Sequence, residues 1–359
     1  MMARDGHNWL VLVLLIALAT AVGAQTPPAP GGPPPGDAAA APAAWKPNTP
    51  LGLEDVTKMA PKDNPINNAK VRLGKMLFWD KRLSASGGNA CQSCHAPDKG
   101  WSDTAPLSTK DNGKLNTRHT LSLYNVAYYK VFFWDGRASS LEEAVQMDWE
   151  DQLGAKGKTA ELAKTLGANQ TYGALFKEAF GEDGVSADKI VKAIATFCRT
   201  IMSANTHYDA FIEGQKSSMT DAAKRGWELY RTKARCNQCH TPGLFTNEAF
   251  HYTGLGLSGG ADDDPARGKV TGDKKLNGFF RVPSLRNVMA HPPFGHAGST
   301  PGMDDMLKYY EAPYGAPSLD PALQGGIHMT EAEKKDLVEF LKALESADDP
   351  DTISKPDLP

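Results

Sequence analysis

Cysteine is scarce, with five in 359 residues. That excludes the disulfide-dense scaffolds that small exported domains use when their cores are too small. An excess of charge is also missing. Lys and Arg number 39 against 42 Asp and Glu, for a formal net charge of −3, so there is no electrostatic footprint for nucleic acid. Long apolar runs are absent except at the N-terminus, so no later stretch could span a bilayer. What remains, 41% hydrophobic and 23% charged residues, is ordinary for a globular protein. The length suits about two domains.

The exception is "WLVLVLLIALATAVGA", Trp9 to Ala24, which follows Arg4. Its length and position read as a secretory signal, with Val22 and Ala24 suiting a cleavage site; an uncleaved anchor is the alternative. Residues 25–50, rich in Pro and Ala, have little to bury and should form an extended, disordered tether. The sequence therefore predicts export to the periplasm, with cleavage near Ala24 and folded chain from Leu51.

Four of the five cysteines form two copies of one pattern. "CQSCH" places Cys91, Cys94 and His95 together, and "CNQCH" does the same for Cys236, Cys239 and His240. CxxCH is the attachment signature of c-type haem: two thiols add to the porphyrin vinyl groups and the next histidine reaches the iron. A zinc ribbon would need its knuckles about 15–20 residues apart, far closer than these. A thioredoxin-like pair needs neither a second motif nor the histidines. The sequence predicts two covalent haems, with His95 and His240 as proximal ligands. Cys198, on an amphipathic stretch with Ile194 and Ile201, reads as a buried, inert thiol.

The halves also repeat at an offset of 162 residues. "SLYNV" from Ser122 matches "SLRNV" from Ser284, Gly136 matches Gly298, and Trp134 falls opposite His296. The second half carries extra residues, assigned to Gly256–Lys275 as a surface insertion whose acidic run reads as solvated, with calcium binding the alternative. Helical spacing precedes each CxxCH, and Thr330 with Glu333 forms a capping-box pattern. The predicted fold class is mainly α, with two cytochrome c-like haem domains in tandem, 51–212 and 213–348, then a tail over 349–359.

The stretch "GMDDMLKYY" offers the second iron Met303, Met306, Tyr309 or Tyr310 as a sixth ligand, and Met306 and Tyr310 share a helical face. Residue type alone leaves both open, and a plain core tyrosine is the alternative. The repeat maps Tyr310 onto Asp148, where neither methionine nor tyrosine stands. An acid near an open iron could shuttle a proton between peroxide oxygens. Asp148, Glu150 and Asp151 are candidates, with Gln146 and Gln152 as hydrogen-bond partners; the same run could be an exposed helix face.

From Leu51 to Ala347 the chain resembles the bacterial di-haem cytochrome c peroxidases, a family that includes the methylamine dehydrogenase maturation enzyme. The landmarks are "LGKMLFWDKRLSASGGNACQSCH", "GWSD", "FFWDGRASSLEEA", "CNQCH", "FRVPSLRNV" and "HAGS". The resemblance implies a peroxidatic N-terminal haem and an electron-transferring C-terminal haem, with Trp134 as the relay between them. It favours Tyr310 over Met306, since the maturation enzyme has tyrosine there. It also shows departures. Asp111 replaces a removable distal histidine, the family's distal glutamine falls on Ala144, and its catalytic glutamate falls on Gly154 or Gln152. An interdomain calcium site would use His119 with backbone at His291 and Pro293; imidazole is a poor calcium ligand, so calcium is left open.

The expected function is reduction of hydrogen peroxide with electrons from a small cytochrome or cupredoxin. Oxidation of a partner protein's side chains is one alternative. A non-catalytic electron carrier is the other.

Overall fold

The computed structural model describes residues 45–314 and 319–359, so the expected signal segment 1–24 and most of the Pro/Ala-rich stretch lie outside the described residues. The chain is mainly helical, as predicted. In the N-terminal half run α1 (Asn68–Trp79), α2 (Leu141–Asp151), α3 (Thr159–Gly167), α4 (Gln170–Phe180) and α5 (Ala187–Cys198). The C-terminal half contains α6 (His207–Ile212), α7 (Asp221–Arg231), α8 (Ala266–Thr271), α9 (Met303–Glu311) and α10 (Glu331–Lys342). Two short strands, β1 (Phe250–His251) and β2 (Phe280–Arg281), pair antiparallel.

Helix starts follow local chemistry. Asn67, Ser140 and Thr220 each accept a backbone N–H from the first turn of α1, α2 and α7, which satisfies donors the helix leaves unpaired. The predicted capping box forms at α10, where the Thr330 and Glu333 side chains take each other's backbone N–H.

Each half has its own core. The first is built around Leu73, Phe78, Trp101 and Phe197, and the second around Tyr208, Tyr230, Phe245 and Phe340. In both, the helix before CxxCH crosses the last helix of its half at a glycine. A Cβ on Gly74 would lie 1.9 Å from the Ala193 carbonyl oxygen, and one on Gly226 would lie 2.0 Å from that of Asp336. No larger residue permits that approach.

The repeat extends to hydrogen bonds. Asn125 and Asn287 both have positive φ, 60° and 55°. The Asn125 side chain bonds the backbone of Ser203, and the Asn287 side chain bonds that of Ser346. Each asparagine thereby ties the loop after CxxCH to the chain leaving its half's last helix.

The segment Gly256–Lys275 departs from expectation. It is solvated only in part, with Asp262, Asp263 and residues 269–275 exposed. Leu257 and Ala266 are buried against Trp134 with Tyr252 and Phe280, and Asp264 pairs with Arg118 at 2.7 Å. Arg118 also reaches Asp135 at 2.6 Å. The extra residues form a cover over the junction of the halves, a role that no local periodicity encodes.

Candidate haem sites

The two CxxCH segments adopt one turn. Cys91–Ser93 and Cys236–Gln238 are each a single 3-10 turn. The His95 and His240 N–H groups donate back to the carbonyls of Cys91 (3.0 Å) and Cys236 (2.8 Å). This folds two thiols and an imidazole to one side of the chain. All five cysteines are free, so no disulfide competes for the thiols.

Each triplet opens on a cavity. The first, about 590 Å³, is lined by Cys91, Cys94, His95, Tyr129, Trp134 and Asp148 among others. The second, about 220 Å³, is lined by Cys236, Cys239, His240, Met306, Tyr310 and again Trp134. Both walls are mostly apolar.

The imidazoles are held for ligation. His95 Nδ1 lies 3.1 Å from the carbonyl oxygen of Trp101, a fully buried residue with φ of 59°. His240 Nδ1 lies 3.1 Å from the carbonyls of Phe245 and Pro283, and Phe245 has φ of 55°. An N–H at Nδ1 donating to a carbonyl leaves Nε2 as the basic nitrogen, the arrangement of a metal-bound histidine. Burial pushes His95 below its usual range and His240 down to about 4, so both rings are neutral and able to ligate. Paired thiols, a neutral oriented imidazole and an apolar chamber fit a haem in each cavity.

The first cavity carries an acid. Asp148, on α2, lines it, and burial pushes its carboxyl up to about 7, with Arg137 and Lys110 opposing and Asp151 adding to the rise. Gln152 and Asp151 also line the wall; Gln152 Nε2 donates to Asp151 at 3.0 Å. The Gln152 Oε1 is buried without a partner among the described residues. Asp151 is held by Lys110 at 2.7 Å. Glu150 stands outside the lining and accepts from Gln146 Nε2 at 2.5 Å. Asp111 does not line the cavity either: its carboxylate takes the N–H and hydroxyl of Ser86. Cys198, buried beside Cys91, has its thiol pushed up to about 12 by burial, as befits an inert core residue.

The second cavity carries soft and phenolic donors. Met303, Met306, Leu307 and Tyr310 form one stripe of α9 along its wall. Tyr309 is excluded, because its hydroxyl donates to the Thr253 carbonyl at 2.7 Å. The Tyr310 hydroxyl has no hydrogen bond among the described residues, and burial raises its phenol above the ordinary range. Geometry thus brings Tyr310 and Met306 together as the sequence expected, without choosing between them.

Trp134 is buried and stands in the walls of both cavities. Its Nε1 donates to the His119 carbonyl at 2.8 Å, and its ring meets that of His296, its repeat counterpart, at 6.5 Å between centroids. The His119 ring faces the carbonyls of Ala105 and Pro106. No cluster of three or more His, Cys, Asp or Glu suited to a metal ion occurs among the described residues. Arg281, not singled out from the sequence, lines both cavities as well. Its signals in the sequence were its place in the landmark "FRVPSLRNV" and its place in the repeat, opposite His119.

A mainly helical chain with two cavities of this kind, joined across one tryptophan, has the fold of a di-haem cytochrome. The family model for di-haem cytochrome c peroxidase matches residues 68–217. The methylamine utilization protein MauG of Methylophilus methylotrophus is 35% identical over 80% of this chain and 85% of its own length. The cytochrome-c peroxidase IdrP1 of Pseudomonas sp. strain SCT is 31% identical over 83% and 86%. A crystal structure of a MauG-like protein associated with microbial copper homeostasis superposes with a TM-score of 0.74 at 27% identity, covering 88% of this chain and 97% of that one. The chain belongs to the di-haem cytochrome c peroxidase family and is an oxidoreductase of that class. Among the described residues, no helix is long and apolar enough to cross a membrane.

Proposed function

We propose that the protein is an exported, periplasmic peroxidase that reduces hydrogen peroxide to water, taking single electrons from a small cytochrome or cupredoxin. Cys91, Cys94 and His95 would hold one haem, and Cys236, Cys239 and His240 the other. When bound, the two haems supply irons that store and pass single electrons. The observation that carries this reading is the asymmetry of the cavities. The first presents an acid in no ion pair among the described residues, Asp148, whereas the second presents candidate ligands, Tyr310 and Met306, and its one acid, Asp320, is paired with His251. One cavity is equipped for proton transfer and the other for a saturated metal.

Reduction of peroxide needs two electrons and two protons and yields two waters. Asp148, with a carboxyl poised near 7, would take the proton from one peroxide oxygen and return it to the other as the O–O bond breaks, the work of a general acid–base group at neutral pH. Trp134, in both walls, would give electrons an aromatic path between the cavities. Gln152, with an unpartnered Oε1, would hold the distal hydrogen-bond network.

A second reading is oxidation of a partner protein's side chains, favoured by Tyr310 in the second cavity and by the 35% identity to the MauG protein. The test is steady-state oxidation of reduced cytochrome c by peroxide with the purified holoprotein. Turnover well above that of free haem is expected. A peroxide-induced spectral change without turnover would favour the second reading, and no response at all would leave an electron carrier.

A further inference from the structure

Buried arginines in this chain come with carboxylates. Arg199 makes two hydrogen bonds of 2.7 Å to Glu142. Arg286 grips Asp209 at 2.9 and 2.8 Å, and Arg118 holds Asp135 and Asp264. Arg281 is the exception. It is 4% exposed, yet among the described residues no acidic side chain forms an ion pair with it. Its backbone N–H donates to the Trp134 carbonyl at 2.8 Å and its Nε to that of Phe133 at 3.2 Å. Its guanidinium lies over the Tyr129 ring, 4.7 Å from the centroid. The Nη1 is buried and donates to nothing.

An unpaired buried cation is expensive, because the protein interior returns little of the hydration it loses. Such a group signals an anion that arrives later. Its position narrows the choice: Arg281 lines both cavities. At the repeat offset its counterpart is His119, which also lines both cavities but carries no guanidinium. Among the residues shared by both walls, Arg281 is thus the one arginine or lysine.

We propose that Arg281 is the shared counter-cation for the carboxylates of the two porphyrins, so that one guanidinium sets the charge environment of both sites. The inference rests on the two-haem reading. Haem carries two carboxylates, and a guanidinium with a free N–H edge is the side chain best shaped to take them. A cation beside these carboxylates favours the reduced, less positive iron. One charge acting on both sites also couples them electrostatically.

The experiment is a spectroelectrochemical titration of the holoprotein and of R281K and R281M, with haem counted per chain by its pyridine complex. In R281M both midpoints should fall, changing the reduced-to-oxidised ratio at fixed potential by about tenfold, or about 59 mV for one electron. R281K should stay close to wild type. An R281M protein with either midpoint unmoved would overturn the shared role, as would equal shifts in both variants, which would mark a packing residue. The wild type supplies a check that needs no variant. Midpoints that track added formate would assign the cation to a diffusible anion instead, and midpoints indifferent to it support the porphyrin carboxylates. A wild type holding fewer than two haems would fail the two-haem reading itself, a result read from the haem count and not from the potentials.

Discussion

The Arg281 backbone N–H donates to the Trp134 carbonyl at 2.8 Å, and its repeat counterpart His119 donates to the carbonyl of His296, the counterpart of Trp134, at 2.7 Å. The two halves thus meet through reciprocal bonds related by the internal repeat. Corresponding loops serve as each other's docking surface, which places one side chain from each loop at the junction. In the first half that side chain is Trp134.

Replacing Trp134 with Phe keeps an aromatic ring but removes the Nε1 donor to His119. The His119 carbonyl loses its indole partner at a buried position, so unfolding free energy should fall by about 1–3 kcal/mol. Electron exchange between the sites should slow in stopped-flow records, while the resting spectra stay unchanged. Unaltered exchange would remove Trp134 from the path.

Asp148 governs the pH profile. Its carboxyl is pushed up to about 7, so it is protonated below that pH and ionised above it. A step that begins with the carboxylate taking a proton should lose rate as pH falls through about 7. Asp148→Asn should lower peroxidase turnover by about 10²–10⁴-fold and abolish that limb, with haem content retained. The raised value also carries a stability sign. The folded state binds the proton more tightly than the unfolded chain, so this group's contribution is full below the ordinary value of 3.8 and is lost as pH rises toward 7. Glu150→Gln, outside the cavity lining, should leave turnover near wild type.

Tyr310 and Met306 are separated by substitution. If Tyr310 is the sixth ligand, Tyr310→Phe changes only the second haem's low-temperature EPR signal, and Met306→Leu changes neither. The reverse pattern would assign Met306. A change in the first signal would contradict the placement of α9 along the second cavity.

The Arg286–Asp209 pair anchors the C-terminal half. Burial opposes the Asp209 charge, but hydrogen bonds from Arg286 and Thr206 outweigh it and hold the carboxyl below its usual range. Its stabilising contribution is therefore present above 3.8 and lost as pH falls through the folded value. Asp209→Asn leaves Arg286, 1% exposed, without its charge partner and should cost about 3–5 kcal/mol. Thermal unfolding at neutral and acid pH measures both effects. Equal melting temperatures for variant and wild type at neutral pH would show that the pair is dispensable.

Several features were legible in the sequence because short-range spacing dictates them. Two thiols and a histidine within five residues can only fold into one turn, so the cofactor class could be read from Cys91–His95 and Cys236–His240. The helices before each motif, the capping box at Thr330 and the stripe carrying Met306 and Tyr310 follow from periodicity and local hydrogen bonding. The repeat at 162 residues, visible as matched letters, foretold two like halves.

What only the tertiary structure decided concerns groups whose partners lie far along the chain. Asp148, Glu150 and Gln152 lie within one stretch of five residues, yet Asp148 and Gln152 line the cavity and Glu150 does not. Helix orientation against the core makes that choice. The segment Gly256–Lys275 looked like a solvated insertion because Asp264 meets Arg118 across 146 residues. Arg281 stands inside the landmark "FRVPSLRNV", but its missing carboxylate becomes visible only when every neighbour is in place. Spacing fixes what a turn can hold, whereas burial and charge pairing depend on surfaces brought together by the whole fold.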